Sequence, residues 1–462
     1  MIPPRLEPLL APGSPTVELS RLFAQDGYRL YLVGGSVRDA MLDRPSPDLD
    51  FTTAARPDEV KRIVGPWADD LYLVGETFGT IGAVRDGEVY EITTFRSDTY
   101  RDESRKPHVS FSDTIEEDLA RRDFAVNAMA LALPTDDDEP HIVDPYGGLL
   151  DLVSRTLRTP GSPEVSFGDD PLRMLRLFRF MATIGFSPDP DALASVTRMA
   201  DRLSIVSAER IRDEFDKLLV GEDVATALEM LVESGLADVF IPELPALALE
   251  QDPVHRHKDV LAHTIAVVDK TSPDLVLRLA ALFHDVGKPR TRSFADHGVS
   301  FHHHEVVGAR MTRHRMNELK YPKRVIRDVS QLVFLHMRPH TFKMGWTDAA
   351  VRRYVRDAGE LLETLNELVR CDVTTRNRRR AVEISRRIDE MEERIVVLRA
   401  QEELDAIRPP LDGREVMDHL DLSPGPVIGE AMNMLLEHRL DDGPFSKEDA
   451  YAMLDDWWAA RA

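Results

Sequence analysis

The sequence predicts an N-terminal α+β or α/β region of about 150 residues, followed by a mainly helical remainder. Two patterns lead to this prediction. Short apolar runs separated by glycine and aspartate turns fill the first part, whereas long segments with apolar residues at helical spacing follow Pro171. The chain of 462 residues is long enough for about three domains, each with its own core.

The first elements form a strand, a glycine turn and a helix. The run 28–33 (YRLYLV) is typical of a buried strand, Gly34 and Gly35 interrupt it, and 36–42 resembles a helix. This order suits phosphate binding, because backbone N–H groups point outward at a helix N-terminus. Further strands are predicted at 48–52 and 71–76 (LYLVGE), and a hairpin turning at Asp86–Gly87 joins GTIGAVRDG to VYEITTF.

Carboxylates on these strands indicate a metal site. Alternate residues of a strand point to one side, so Asp48 and Asp50 form a repulsive pair unless a divalent cation lies between them. The preceding glycines and Arg38 would approach and neutralise a triphosphate. The alternative is a strand end with two solvated aspartates. Glu91, on a neighbouring predicted strand, is either a third metal ligand or an edge-strand charge.

The helical region carries a second cluster of potential ligands. Helices are predicted at 172–184 and 208–219, and chain junctions at 242–253 and 376–387. Histidines and aspartates then recur on successive predicted helices, which suits a transition-metal or magnesium site: His263, His284, Asp285, His304, His336 and Asp372. The alternative is a set of buried histidines that cap helices.

Charge and composition limit the partners and the compartment. A net charge of −23 disfavours nucleic acid unless basic residues are segregated, and the last 62 residues alone carry −10. The arginine-rich stretch 376–387 would supply a phosphate-binding stripe or simply a solvated helix. With Cys371 as the single cysteine, no apolar run of about 18 residues and no visible signal peptide, we expect a cytoplasmic protein without a membrane partner.

Five segments in order strongly resemble the class II tRNA nucleotidyltransferase and bacterial poly(A) polymerase family: LVGGSVRDAMLDRPSPDLDFTT, DLARRDFAVNAMAL, DPYGGLLDL, FGDDPLRMLRLFRFMATIGF and SAERIRDEFDKLL. The resemblance implies an α+β nucleotidyltransferase palm with a small mixed sheet. An all-α neck, an HD-type helical domain and a helical acidic tail would follow. The expected boundaries are 1–155, 156–245, 246–375 and 376–462.

The resemblance also implies site roles. Asp48 and Asp50 would hold two Mg²⁺ ions. The triphosphate would lie against Gly34, Gly35 and Arg38, and the RRDFAVNA motif would contact ribose and phosphates through Arg122, Asp123 and Asn127. Asp170 and Arg173, three residues apart on one helix face, would read the base of CTP or ATP and refuse U and G. Arg176 and Arg179 would support that pair or touch phosphate, or form a solvated basic stripe. The family commonly has Glu where this chain has Asp169.

The second cluster resembles HD-domain phosphohydrolases. This resemblance implies His263, His284, Asp285 and Asp372 as primary ligands, with His304 and His336 completing a second metal position. In the family such a domain is either a metal-dependent phosphatase or phosphodiesterase, or a scaffold. All six positions are filled here, which favours metal binding.

The implied function is template-independent addition of CMP and AMP, from CTP and ATP, to the 3′ end of tRNA with release of pyrophosphate. Rival readings are a poly(A) polymerase of the same fold, a CC-only or A-only enzyme, and a metal-dependent phosphohydrolase whose N-terminal half binds nucleotide. The segment 99–113, expected to be a flexible loop, does not decide among them.

Overall fold

A computed structural model describes residues 2–44, 49–99, 108–249, 259–295, 298–341, 347–373, 378–402 and 407–461. The chain forms two compact units, residues 1–240 and 241–462. The division falls beside the junction predicted at 242–253, while the four-part domain scheme stays a prediction. No described helix is long and apolar enough to cross a bilayer.

The first unit is built on a seven-stranded mixed sheet of order β3-β4-β5-β2-β1-β8-β9. Its strands are β1 (Leu30–Val33), β2 (Leu49–Thr53), β3 (Asp70–Tyr72), β4 (Thr80–Arg85), β5 (Glu88–Thr94), β8 (Ala130–Ala132) and β9 (His141–Val143). Two small pairs accompany it, β6 (Arg96–Thr99) with β7 (His108–Phe111) and β10 (Thr156–Leu157) with β11 (Ser187–Pro188). The expected loop 99–113 therefore includes a strand, and residues 100–107 lie outside the described part.

Side-chain alternation decides which face of the sheet is buried. Phe51, Ile81 and Ile92 on the central strands are at most 1% exposed and point to the core. The predicted hairpin is confirmed: β4 and β5 pair from Arg85 onward, and Asp86 and Gly87 both have positive φ, as a tight two-residue turn requires. The third strand is shorter than predicted, because the chain turns after Tyr72 into a short 3-10 helix.

Helices of the first unit cover the sheet and then form a helical region of their own. They are α1 (Pro15–Gln25), α2 (Gly35–Met41), α3 (Pro57–Val64), α4 (Ile115–Ala120), α5 (Gly148–Ser154), α6 (Pro163–Asp169), α7 (Leu172–Ile184), α8 (Pro190–Met199), α9 (Ala208–Leu219), α10 (Val224–Glu233) and α11 (Leu236–Phe240). Short 3-10 helices span Pro4–Leu10, Glu76–Phe78, Ala125–Asn127 and Ala200–Ile205. Helix α7 packs on α9 and α10. Its apolar residues Leu175, Phe178 and Ala182 are fully buried.

Where the structure describes it, the second unit is helical apart from one hairpin that the sequence did not predict, β12 (Arg292–Ala295) with β13 (Gly298–Phe301). Its helices are α12 (Val260–Lys270), α13 (Leu275–Phe283), α14 (Lys288–Thr291), α15 (His304–Glu318), α16 (Lys323–Leu335), α17 (Arg338–Thr341), α18 (Asp348–Ala358), α19 (Leu362–Cys371), α20 (Arg378–Gln401), α21 (Gly413–Leu420), α22 (Pro426–Asp442) and α23 (Lys447–Ala459). Short 3-10 helices span Pro245–Leu247 and Gly359–Leu361. Helix α20 contains most of the arginine-rich stretch. The predicted fold class, an α+β palm followed by helical domains, is confirmed.

Candidate functional sites

A glycine turn opens the first site. Gly34 ends β1 with φ 71° and ψ −132°, a conformation that L side chains rarely adopt, and α2 begins directly after it. A Cβ atom at this position would lie 2.8 Å from Nη1 of Arg122 and 3.9 Å from Oδ2 of Asp50. The absence of a side chain at residue 34 therefore leaves room beside a guanidinium and a carboxylate. Ser36 fixes the turn to β2, since its Oγ accepts from the Asp50 N–H at 3.1 Å.

Two predicted metal-binding carboxylates lie on adjacent parallel strands. Asp50 on β2 is directly in register with Glu91 on β5. The edge-strand interpretation of Glu91 is wrong, because β5 lies between β4 and β2 inside the sheet. Asp48 lies outside the described residues. Paired carboxylates provide the hard oxygen ligands that Mg²⁺ prefers, so Asp50 and Glu91 fit a divalent cation.

Arg38 is buried rather than aimed at open solvent. It is 8% exposed, and its Nη1 donates to Oδ1 of Asn127 at 2.6 Å while two other donors hold Asp39 at 2.8 Å. Asn127 in turn donates to Asp123 at 2.9 Å, and Arg176 donates its Nε to the other oxygen of Asp123 at 2.9 Å. Burial by itself raises the pKa of Asp123, but Arg176 and Asn127 lower it far more. This chain of hydrogen bonds joins the glycine-turn helix to α7.

The two arginines of the RRD motif share one buried partner. Arg121 and Arg122 both donate to Asp118, whose side chain is fully buried on α4. Burial raises the pKa of Asp118, and the two guanidinium groups outweigh that effect and lower it. The carboxylate therefore stays ionised and holds both guanidinium groups, of which that of Arg122 lies beside the glycine turn.

A cavity of about 500 Å³ joins the RRD motif to the predicted base-reading pair. Basic side chains outnumber acidic ones in its lining, although the chain as a whole is acidic. The lining residues are Arg96, Arg121, Arg122, Asp123, Asp170, Leu172, Arg173, Arg176, Arg210, Asp213, Glu214 and Lys217. Such a lining suits a ligand that is polyanionic at one end and polar but uncharged at the other.

Asp170 and Arg173, the predicted base-reading pair, both line this cavity, but they do not share a helix as predicted. Asp170 has extended backbone at the end of α6, and α7 begins at Leu172, because Pro171 follows Asp170 and disfavours helical backbone there. Asp170 accepts from the Leu172 N–H at 3.1 Å. Arg173 donates to Ser166 Oγ at 2.8 Å and to the Arg121 carbonyl, which sets the plane of its guanidinium.

Arg176 and Arg179 do not form a solvated stripe. Both pair with the carboxylate of Glu214 on α9, which is 5% exposed, at 3.2 Å and 2.9 Å. Both also lie against the ring of Phe180. The sequence predicted no role for Glu214, Arg210 or Lys217. Their signal is the spacing of charged residues along α9, which places all three on one helix face.

The second site is a convergence of imidazoles in the second unit. Nε2 of His263 lies 3.3 Å from Nε2 of His284, and Nε2 of His304 lies 3.3 Å from Nε2 of His336. Asp285 faces both pairs: its Oδ2 is 3.2 Å from His284 and its Oδ1 is 3.4 Å from His304. The set divides into two triads that share this carboxylate.

Backbone contacts determine which ring nitrogen can bind a metal. The Nδ1 atoms of His284, His304 and His336 face the carbonyls of Ala281, Phe301 and Val333 at 2.6–2.8 Å. Nδ1 therefore carries a proton in each of them, and Nε2 is the nitrogen that faces the centre and could bind a metal. His284 and His336 do follow helix ends, as the capping alternative expected, but capping alone does not account for the convergent Nε2 atoms.

Charges around the cluster favour a cation at its centre. Burial, together with neighbouring His284, lowers the pKa of His336 to about 3, so this imidazole is neutral at pH 7. Burial also lowers the pKa of His284, but Asp285 and Asp372 raise it to about 10. Asp372 Oδ1 lies 3.0 Å from His263 Nε2. A divalent cation would replace the extra proton on His284 as the positive charge that balances these carboxylates. The imidazole and carboxylate donors fit such a cation.

Three family models match the chain. The poly(A) polymerase head domain matches residues 30–158, a probable RNA- and SrmB-binding site of polymerase A matches 185–247, and the HD domain matches 260–371. The first two cover the glycine turn, the sheet and most of the helical region, and the third covers all the clustered residues except Asp372.

Curated relatives align over different lengths. A CCA-adding enzyme of Streptococcus gordonii is 41% identical over 241 residues, which are 52% of this chain and 58% of that protein. One from Geobacillus thermodenitrificans is 40% identical over 50% of this chain and 55% of its own length. The chain thus aligns with little more than half of these two relatives. An A-adding tRNA nucleotidyltransferase of Deinococcus radiodurans is 35% identical over 92% of this chain and 95% of its own length.

Solved structures share the fold over the full chain. The Bacillus stearothermophilus CCA-adding enzyme in complex with CTP gives a TM-score of 0.72 at 25% identity, covering 100% of this chain and 99% of that one. A Thermotoga maritima CCA-adding enzyme complexed with tRNA gives 0.59 at 16% identity, covering 99% and 96%. The second likeness concerns the fold alone.

Proposed function

The chain belongs to the tRNA nucleotidyltransferase and poly(A) polymerase family, and on that premise we propose that it adds CMP and AMP to the 3′ end of tRNA. CTP and ATP are the nucleotide substrates, pyrophosphate is released, and the product end is CCA. The names of the Streptococcus, Geobacillus and Bacillus relatives support this activity. The sequence features that predict a cytoplasmic protein are consistent with tRNA as partner.

One observation carries the proposal: a single cationic cavity is lined both by the RRD arginines, for which we propose phosphate binding, and by Asp170 and Arg173, for which we propose base reading. Arg122, fixed by Asp118 beside the Gly34 turn, would hold the triphosphate. At the other end, the Asp170 carboxylate accepts from an exocyclic amine and Arg173 donates to a ring nitrogen. Cytosine and adenine present that donor–acceptor order, whereas uracil and guanine do not.

The carboxylates Asp50 and Glu91, together with Asp48, would hold divalent cations, for which we propose Mg²⁺. When bound, these ions activate the RNA 3′-hydroxyl and neutralise the leaving pyrophosphate. The chain's own part is to position the reacting groups. Asp50 is tied to the α2 turn through Ser36, so the carboxylate and the triphosphate site are held by one rigid local structure.

A second candidate is addition of the terminal A alone. The A-adding enzyme of Deinococcus radiodurans aligns over 92% of this chain and 95% of its own length, which favours this narrower activity. The same residues would perform the chemistry, because Asp170 and Arg173 accept adenine as well as cytosine. The two candidates differ in which tRNA ends are extended and in whether CMP is added.

The decisive experiment measures incorporation of labelled CTP and ATP into tRNA transcripts that end before CCA, after the first C, and after the second C. A generic RNA of similar length is the control substrate. Ordered addition that stops after CCA supports full CCA synthesis, whereas ATP addition only to the transcript ending in CC supports the A-adding activity. Long ATP-only tails on the generic RNA would instead indicate a poly(A) polymerase and contradict both candidates.

For the HD-type cluster we propose a divalent metal site with phosphoester hydrolysis as a separate activity. The convergent Nε2 atoms and the shared Asp285 support metal binding there. Asp50→Asn should abolish nucleotide incorporation and leave hydrolysis of a phosphomonoester or cyclic phosphodiester intact, and Asp285→Ala should do the reverse. Loss of both activities in each single variant would contradict two independent sites.

A further inference from the structure

Four strands of the first unit place their residues in one continuous row. Asp50 on β2 pairs with Glu91 on β5, Glu91 pairs with Gly82 on β4, and Gly82 pairs with Tyr72 on β3. Residues directly opposite one another in a sheet project from the same face. Tyr72 therefore shares a face with both carboxylates, at roughly 14 Å from Asp50, since neighbouring strands are ~4.8 Å apart.

Two residues of this row, Tyr72 and Glu91, are exposed on this face. Tyr72 is 59% exposed and Glu91 is also exposed, whereas Ile81 and Ile92, which point to the other face, are fully buried. Gly82 contributes no side chain between them. A Cβ atom at residue 82 would lie 3.1 Å from Cβ of Tyr72, so the tyrosine packs directly over the glycine backbone. The row Glu91–Gly82–Tyr72 is a strip with an exposed carboxylate at one end, an exposed aromatic ring at the other and the buried backbone of Gly82 between them.

Strand order places this strip opposite the triphosphate site. Gly34 and Arg122 lie on the β1 side of Asp50, whereas β5, β4 and β3 extend from its other side. In nucleotidyl transfer the attacking and leaving oxygens are roughly in line through the phosphorus, hence on opposite sides of it. With the pyrophosphate held by Gly34 and Arg122, the RNA 3′-hydroxyl approaches from the β5 side.

We infer that Tyr72 stacks on an unpaired base near the 3′ end of the RNA, and that the strip Glu91–Gly82–Tyr72 is the path of that end. The inference rests on the proposed nucleotidyl transfer. Stacked bases repeat at ~3.4 Å, so the ring contacts a base a few nucleotides upstream of the reacting hydroxyl. Aromatic stacking tolerates any base, as a site over which the strand advances during successive additions requires.

Tyr72→Leu and Tyr72→Phe test the role of the ring, with Phe294→Leu, another exposed aromatic position, as the matched control. Tyr72→Leu should raise the KM for tRNA about tenfold and leave the KM for CTP unchanged. Tyr72→Phe and Phe294→Leu should behave like the wild type. An unchanged KM for tRNA in Tyr72→Leu, or an equal loss in Tyr72→Phe, would overturn the inference.

A second measurement does not depend on catalysis. A tRNA carrying 2-aminopurine at each of the last nucleotides before the 3′ end should show fluorescence quenching on binding the wild type and Tyr72→Phe, with quenching lost in Tyr72→Leu. Quenching that depends on the ring, together with no incorporation by the wild type, would overturn the proposed function and support the strip. Incorporation by the wild type without ring-dependent quenching would overturn the strip alone.

Discussion

Nη2 of Arg210 donates to Oδ2 of Asp170 at 2.8 Å, although 40 residues separate them in the chain. The other oxygen of Asp170 accepts from the Leu172 N–H. The carboxylate is thus held from both sides, by a guanidinium on α9 and by the backbone at the start of α7. A carboxylate held this way presents its remaining lone pairs in a fixed direction, which is what discrimination between nucleobases requires.

Replacing Arg210 by alanine should therefore reduce selectivity. We expect kcat/KM for CTP to fall about tenfold in Arg210→Ala, because one charge-assisted hydrogen bond is lost, and the CTP-to-UTP preference to narrow. Steady-state incorporation with all four nucleotides measures both quantities. Arg202→Ala is the control, since Arg202 donates to the nearby Gly168 carbonyl but not to Asp170. An unchanged CTP-to-UTP ratio would show that Arg210 does not orient the carboxylate.

Glu214 should be needed for stability of the first unit. Its buried carboxylate pairs with two partly buried guanidinium groups, those of Arg176 and Arg179. Glu214→Gln leaves these charges without one partner and should lower the free energy of unfolding by about 2–4 kcal/mol. Urea denaturation of Glu214→Gln, compared with the exposed Glu209→Gln on the same helix, measures the loss. Equal midpoints for the two variants would contradict the prediction.

Asp123 makes the protein sensitive to acid. Its pKa is lowered in the folded chain, so its contribution to stability is complete above the unfolded value of about 4 and is lost as the pH falls through the folded value. The free energy of unfolding should therefore begin to decrease below about pH 5 and decrease most steeply below about pH 4. Asp123→Asn should be less stable at pH 7 but show a shallower decrease. A parallel decrease in both proteins would exclude Asp123 as a source.

Metal binding at the HD-type cluster should stabilise the second unit. Addition of Mn²⁺ after chelation should raise the melting temperature, because an ion that binds only the folded chain adds stability that grows with its concentration. Asp285→Ala, which removes the carboxylate shared by both triads, should abolish the increase. His303→Ala removes the side chain of a neighbouring histidine that is largely exposed, and this variant should retain the increase in melting temperature. A full Mn²⁺ response in Asp285→Ala would place the metal elsewhere.

Much of the local structure follows from sequence neighbours. The Asp86–Gly87 hairpin, the glycine break after β1 and the helical spacing of α7 depend on backbone preferences and on periodicity over a few residues. The structure has these three features where the sequence predicted them. The prediction that Asp170 lies on a helix with Arg173 was wrong, because it applied helical spacing across Pro171, where the helix has not yet begun.

The sequence by itself determined the family, the fold class and the residue types from which the candidate sites are built, since these are written in motifs and periodic patterns. Only the tertiary structure decided which of these side chains lie next to one another. It set Glu91 beside Asp50 inside the sheet, Arg210 on Asp170, and both histidine pairs on the single carboxylate of Asp285. The physical reason is that strand order and helix packing join positions distant in the chain, and no local pattern encodes those contacts.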